Sequence, residues 1–145
     1  MSKLEILSDL LKDELAAVAT YQQVLGKLRE DVALGDAESL FPLLQNHKTA
    51  VGILQNQIRE LGAIPAEDAG AWGAWTKLVE GGAILLGKQT ALLTLQEGEK
   101  TGSVDYEQAL LDEDLPAEFR SMIETKFLPA QREHIRTLDR LMDFE

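Results

Sequence analysis

The chain has no cysteine and only two histidines, His47 and His134, so disulfide frameworks and thiolate chemistry are excluded. Four prolines in 145 residues leave long uninterrupted runs. Those runs are rich in Ala, Leu, Glu, Gln and Lys, which favour helix. Strict apolar–polar alternation is never sustained, which argues against strands. Bases are scarce: 14 Lys and Arg against 25 Asp and Glu give a net charge of −11. That sign repels nucleic acid. No apolar stretch approaches the roughly 20 residues of a membrane-spanning helix. The amino-terminal segment carries acids among its apolar residues, unlike a secretory signal. The expectation is a cytoplasmic protein with neither nucleic acid nor membrane as partner. With 45% hydrophobic and 27% charged residues, the composition fits one folded domain over residues 1–145, of all-α class, long enough to bury a core.

Helical periodicity organises what is present. A first helix is expected from Ser2, as N-cap, to just past Glu30. Leu4, Leu7, Leu11, Val18, Tyr21, Leu25 and Leu28 recur along it in steps of three and four, the seam of a bundle helix. Glu14 fills the step between Leu11 and Val18, where a carboxylate is costly unless paired. After a stop at Leu34-Gly35-Asp36, a second helix is expected to be capped by Asp36 or Ser39, with Pro42 in its first turn. Its inward face reads Leu40, Leu44, His47, Val51, Leu54, Ile58 and Leu61, and Gly62 and Pro65 end it. Residues 63–82 differ: they hold both tryptophans, Trp72 and Trp75, and a short helix is expected over Thr76–Glu80. The tryptophans suit either packing on a bundle flank or a homodimer surface.

A third helix is expected over Ile84–Leu111, with Leu85, Leu92, Leu95, Glu99, Tyr106 and Leu110 inward and Gly98 and Gly102 as weak points. The turn Asp112–Pro116 leads to a fourth. It carries Ile123, Phe127, Gln131, His134, Leu138 and Leu141 inward, with a kink at Pro129. Two short-loop hairpins thus flank a connection of about twenty residues.

The halves match each other where polar residues point inward. Glu14, Tyr21 and Leu25 recur as Glu99, Tyr106 and Leu110, a constant offset of 85, and Pro42, His47 and Leu54 recur as Pro129, His134 and Leu141, an offset of 87. The midpoint of Glu99 and His134 falls in the Leu115-Pro116 turn, so those two face each other. The midpoint of Glu14 and His47 falls before the first loop, which predicts an offset of about one helical turn between them. Two carboxylates and two imidazoles at similar height can coordinate a divalent ion, and mixed N/O ligands suit Fe, Zn, Mn or Cu.

With this hairpin–crossover–hairpin order, and on Glu14, Tyr21, His47, Glu99, Tyr106 and His134, nearly the whole chain resembles the ferritin-like superfamily. In particular it is similar to small bacterial ferritin-like four-helix bundles of unknown function. The resemblance implies two antiparallel hairpins joined by a long crossover with a short extra helix. It implies a core metal site with Glu14, His47, Glu99 and His134 as ligands, supported by Tyr21, Tyr106 and Gln131. In Leu44-Gln-Asn-His47 and Gln131-Arg-Glu-His134, however, the glutamate that would precede each histidine by three positions is missing, which removes two carboxylates of a di-iron site. Glu133 and Glu97 lie off the inward faces and do not replace them. The expected cofactor is one divalent transition metal (Fe, Zn or Mn) and no organic group. Oxidase or peroxidase activity stays open. The alternative is a metal-free structural, interaction or stress-associated bundle in which the same residues form a buried hydrogen-bond layer.

Overall fold

The computed structural model describes residues 2–30, 34–70 and 87–142. Every regular element among them is helical. The order is α1 (Lys3–Glu30), α2 (Leu34–Glu60), α3 (Lys88–Leu110) and a fourth rod. That rod runs without a break through α4 (Ala117–Met122), a π-helical turn (Ile123–Phe127) and α5 (Leu128–Met142). Trp72, Trp75, the expected Thr76–Glu80 helix and Leu85 lie outside the described residues.

Local chemistry explains most boundaries. Ser2 caps α1: the Glu5 N–H donates to its Oγ at 3.2 Å, and its hydroxyl donates to Glu5 Oε1 at 3.1 Å. α2 ends in the expected glycine cap. Gly62 has φ +85°, its N–H reaches the Arg59 carbonyl at 2.9 Å, and the Ala63 N–H reaches Ile58 at 3.2 Å. In the second hairpin loop, the Asp112 carboxylate accepts the Asp114 N–H at 2.9 Å. The Arg120 guanidinium binds the carbonyls of Leu110 and Asp112, closing the carboxyl end of α3.

Three expectations are corrected here. α2 begins at Leu34, ahead of both expected caps. Ser39 instead donates back to the Gly35 carbonyl at 3.2 Å. Pro42 therefore sits inside the helix, where it offers no N–H to Glu38, but both residues face solvent, which can satisfy that carbonyl. Secondly, Leu4 and Leu61, read as inward, are 37% and 39% exposed. Both lie at helix ends, Leu4 in the first turn of α1 and Leu61 just past α2. Thirdly, the irregularity expected at Pro129 takes the form of the π turn just before it, where the Leu128 N–H donates to the Ile123 carbonyl.

The core forms two apolar clusters. One gathers the second half of α1 (Tyr21, Val24, Leu25, Leu28), the start of α2 (Leu40, Leu43, Leu44), the start of α3 (Ala91, Leu92, Leu95) and Leu138. The other gathers the first half of α1 (Leu7, Leu10, Leu11), the end of α2 (Leu54, Ile58), the end of α3 (Tyr106, Ala109) and Phe119, Ile123 and Phe127 of the fourth rod. α1 is therefore antiparallel to α2 and to α3, and α3 to the fourth rod. α2 finishes at one end of the bundle and α3 starts at the other, so the connection must travel the bundle's length. Its described part, residues 61–70, turns back along α2: the Ala66 carbonyl accepts from Gln55 at 3.1 Å, and Ala69 packs on both clusters.

Candidate metal centre

Between the two apolar clusters, each long rod contributes one inward residue: Glu14, His47, Glu99 and His134. All four are buried, Glu99 completely. The apolar seams place them there. Glu14 follows Leu11, His47 follows Leu44, Glu99 follows Leu95 and His134 precedes Leu138 along the apolar seams, so packing the seams drives the polar groups together.

Glu99 is the hub. Its Oε2 accepts the Tyr21 hydroxyl at 2.6 Å and lies 2.7 Å from His47 Nε2 and 3.1 Å from His134 Nδ1. The other His47 nitrogen, Nδ1, is 3.0 Å from Glu14 Oε1. The offset of a turn expected between Glu14 and His47 is thus absent as a gap, because the two long side chains span it. Gln131 donates its amide to Glu14 Oε1 at 3.4 Å, and its own Oε1 is 3.2 Å from the Ser103 hydroxyl. Glu133 is exposed and pairs with Arg136 at 2.7 Å, so it takes no part. Glu97 likewise faces solvent.

Proton positions follow from these partners. With Glu14 and Glu99 ionised, His47 sits between two acceptors and must donate from both nitrogens, as imidazolium. Burial opposes that charge most, yet the carboxylates of Glu99 and Glu14 together hold the His47 pKa well above its usual 6.5. Burial also pushes against ionised Glu99, but His47 and His134 outweigh it and bring its pKa down to about 2. On His134, the Asn46 amide donates to Nε2 at 3.1 Å, which leaves Nδ1 to carry the hydrogen toward Glu99. Burial, then the nearby carboxylate of Glu99, raises the Tyr21 phenol well above 10.0, so it stays a donor.

Two atoms are left over. Glu99 Oε1 and the Tyr106 hydroxyl are buried with no hydrogen-bond partner among the described residues. Tyr106 stacks instead on Phe127, ring centroids 5.6 Å apart. One oxygen of Glu99 thus faces three donors while the other faces none. A cavity of about 20 Å³ adjoins the cluster, bounded by Glu14, His47, Gln131 and His134. It has room for about one water-sized particle.

Ligand-type atoms of His47, Glu99 and His134 all lie within 4.8 Å of one another, close enough for a single ion to reach all three. Glu14 lies outside that group and faces the far nitrogen of His47. A carboxylate behind a histidine fixes the ring and raises its basicity, which is what a metal-binding imidazole needs. Of the supporting residues expected from sequence, Tyr21 and Gln131 touch the cluster, whereas the Tyr106 hydroxyl has no hydrogen-bond partner among the described residues.

Asn46 and Ser103 were not anticipated. Asn46, itself exposed, lies three residues after buried Leu43 and four before buried Ala50 on α2. Ser103 falls in the step between Glu99 and Tyr106. Reading a wider stripe would have found both. No family model, no curated protein and no solved structure matches this chain.

Proposed function

We propose that this chain is a ferritin-like four-helix bundle whose core binds one divalent transition-metal ion through His47, Glu99 and His134. Glu14 orients His47 from behind. The observation that carries this reading is the convergence of two buried imidazoles on one buried carboxylate, within 4.8 Å of one another. Such a donor set suits Zn, Fe or Mn better than the all-oxygen ions Ca and Mg. The charges also balance: a divalent cation with neutral histidines compensates both Glu14 and Glu99, whereas one imidazolium compensates only one of them. Glu99 Oε1 is an unpartnered carboxylate acceptor, and a small cavity lies beside both histidines. The antiparallel pairing of α1 with α2 and of α3 with the fourth rod, with α2 and α3 starting at the same end, supports the ferritin-like assignment.

When bound, such an ion would supply Lewis acidity and, for iron or manganese, electron-transfer capacity. The chain's own residues do the holding. Tyr21 anchors Glu99 and Gln131 restrains Glu14; for His134 Nδ1 to bind an ion, its hydrogen must move to Nε2, with the Asn46 amide turned so that its oxygen accepts it. Leu44 and Gln131 stand where two further carboxylates would support a second ion, so one ion per chain is expected. A metal-free hydrogen-bond layer would instead leave Glu99 Oε1 buried and unpaired, at about 1–3 kcal/mol. Calorimetric titration of chelator-stripped protein with Zn(II) separates the two. One site, abolished in Glu99→Gln and in His134→Ala, supports the metal reading; no heat of binding in the wild type leaves the hydrogen-bond layer standing.

A further inference from the structure

The candidate centre is sealed above and below by apolar clusters, so an ion needs a path between helices. The helix pairs are not equally close. α1 packs extensively on α2, α3 on the fourth rod, and α1 on α3, whereas α2 and α5 touch sparsely. The small cavity beside the cluster lies at this last seam, and its rim is formed by Asn46 and Ala50 of α2 and Phe127 and Ala130 on the other side. Two of the four are alanines, which leave a gap where larger side chains would interlock. Asn46 is exposed, yet its amide reaches His134 Nε2 at 3.1 Å, so one residue spans from solvent to a site imidazole.

A larger groove between α1 and α3 invites comparison, because its walls carry Asp9, Asp13, Asp105 and Asp112 and would attract cations. None of Glu14, His47, Glu99 or His134 lines it, so it does not open onto the centre. Resting on the metal reading above, we propose that a divalent cation reaches and leaves the centre through the α2–α5 seam, past Asn46 and between Ala50 and Ala130. The Asn46–His134 hydrogen bond is the latch. The seam's size admits a cation with little of its hydration shell and excludes organic chelates.

A gate changes both exchange rates without changing the equilibrium it connects. The test is stopped-flow loading of the metal-free protein with Co(II), read from its visible absorption, followed by extraction with excess EDTA. Ala130→Leu fills the seam at a half-buried position and is expected to slow loading and extraction by a similar factor, roughly tenfold or more, with affinity unchanged. Ala130→Val, a smaller intrusion, should fall between. Asn46→Ala removes the latch and should speed loading; because Asn46 also touches His134, its affinity is measured alongside. Wild-type rates in Ala130→Leu with full Co(II) occupancy would overturn the route while leaving the metal reading intact. Failure of the wild type to take up Co(II) would overturn both.

Discussion

Gly102 is where the polar layer can be tested without touching a candidate ligand. It lies buried inside α3, and alanine there would ordinarily stabilise a helix by about 1 kcal/mol. A methyl group at this position would lie 2.8 Å from Gln131 Nε2, 2.9 Å from its Oε1 and 3.2 Å from its Cδ. The Gln131 amide must then move, and its contacts with Ser103 at 3.2 Å and Glu14 at 3.4 Å are lost. Each is worth about 1 kcal/mol, and more if the displaced amide finds no other partner. Gly102→Ala should therefore destabilise the metal-free protein by about 1–2 kcal/mol. In a Gln131→Ala background the clash is gone and the same substitution should stabilise by about 1 kcal/mol. Urea unfolding of the four proteins gives the coupling directly, expected at about 2–3 kcal/mol. Equal effects of Gly102→Ala in both backgrounds would refute the placement of Gln131 against α3.

The tyrosines should separate although they occupy matching positions. Tyr21→Phe removes a 2.6 Å bond to an ionised acceptor and should cost about 1.5–3 kcal/mol in thermal or urea unfolding, whereas Tyr106→Phe removes an unpartnered hydroxyl and should be neutral or stabilising. Stability of the chelated protein should fall at both pH extremes. Glu99, lowered to about 2, contributes stability that is full above 4.5 and lost as pH drops through about 2. His47, raised above 6.5, contributes stability that is full below 6.5 and lost as pH climbs through its folded-state value. Melting curves across pH should lose the alkaline decline in His47→Gln. Gly62→Ala, at φ +85°, should destabilise by about 1 kcal/mol by the same melting assay, with metal uptake unchanged.

How much of this was legible in the sequence depends on side-chain period and reach. Glu14 and Glu99 stood out because each replaced a leucine in a seam, and the four expected ligands do meet in one layer. The exposed ends Leu4 and Leu61 were misread because periodicity carries no information about where a facing helix stops. The start of α2 was misplaced because Gly35 resembles a helix terminator, while a first turn tolerates glycine nearly as well. Which carboxylate joins the imidazoles and which stands behind one is a matter of ångströms, and spacing along the chain cannot resolve it. Asn46 escaped notice for a related reason: it belongs to α2 by sequence but acts on His134, 88 positions away.

The central claim is that the buried His47–Glu99–His134 group holds an ion, and metal content tests it most directly. The protein should be purified without chelator, incubated with Fe(II), Zn(II) or Mn(II), desalted and subjected to elemental analysis beside Glu99→Gln. The account predicts close to one ion per chain in the wild type and almost none in the variant. Wild-type protein that retains no metal, or a variant that retains as much, would contradict it.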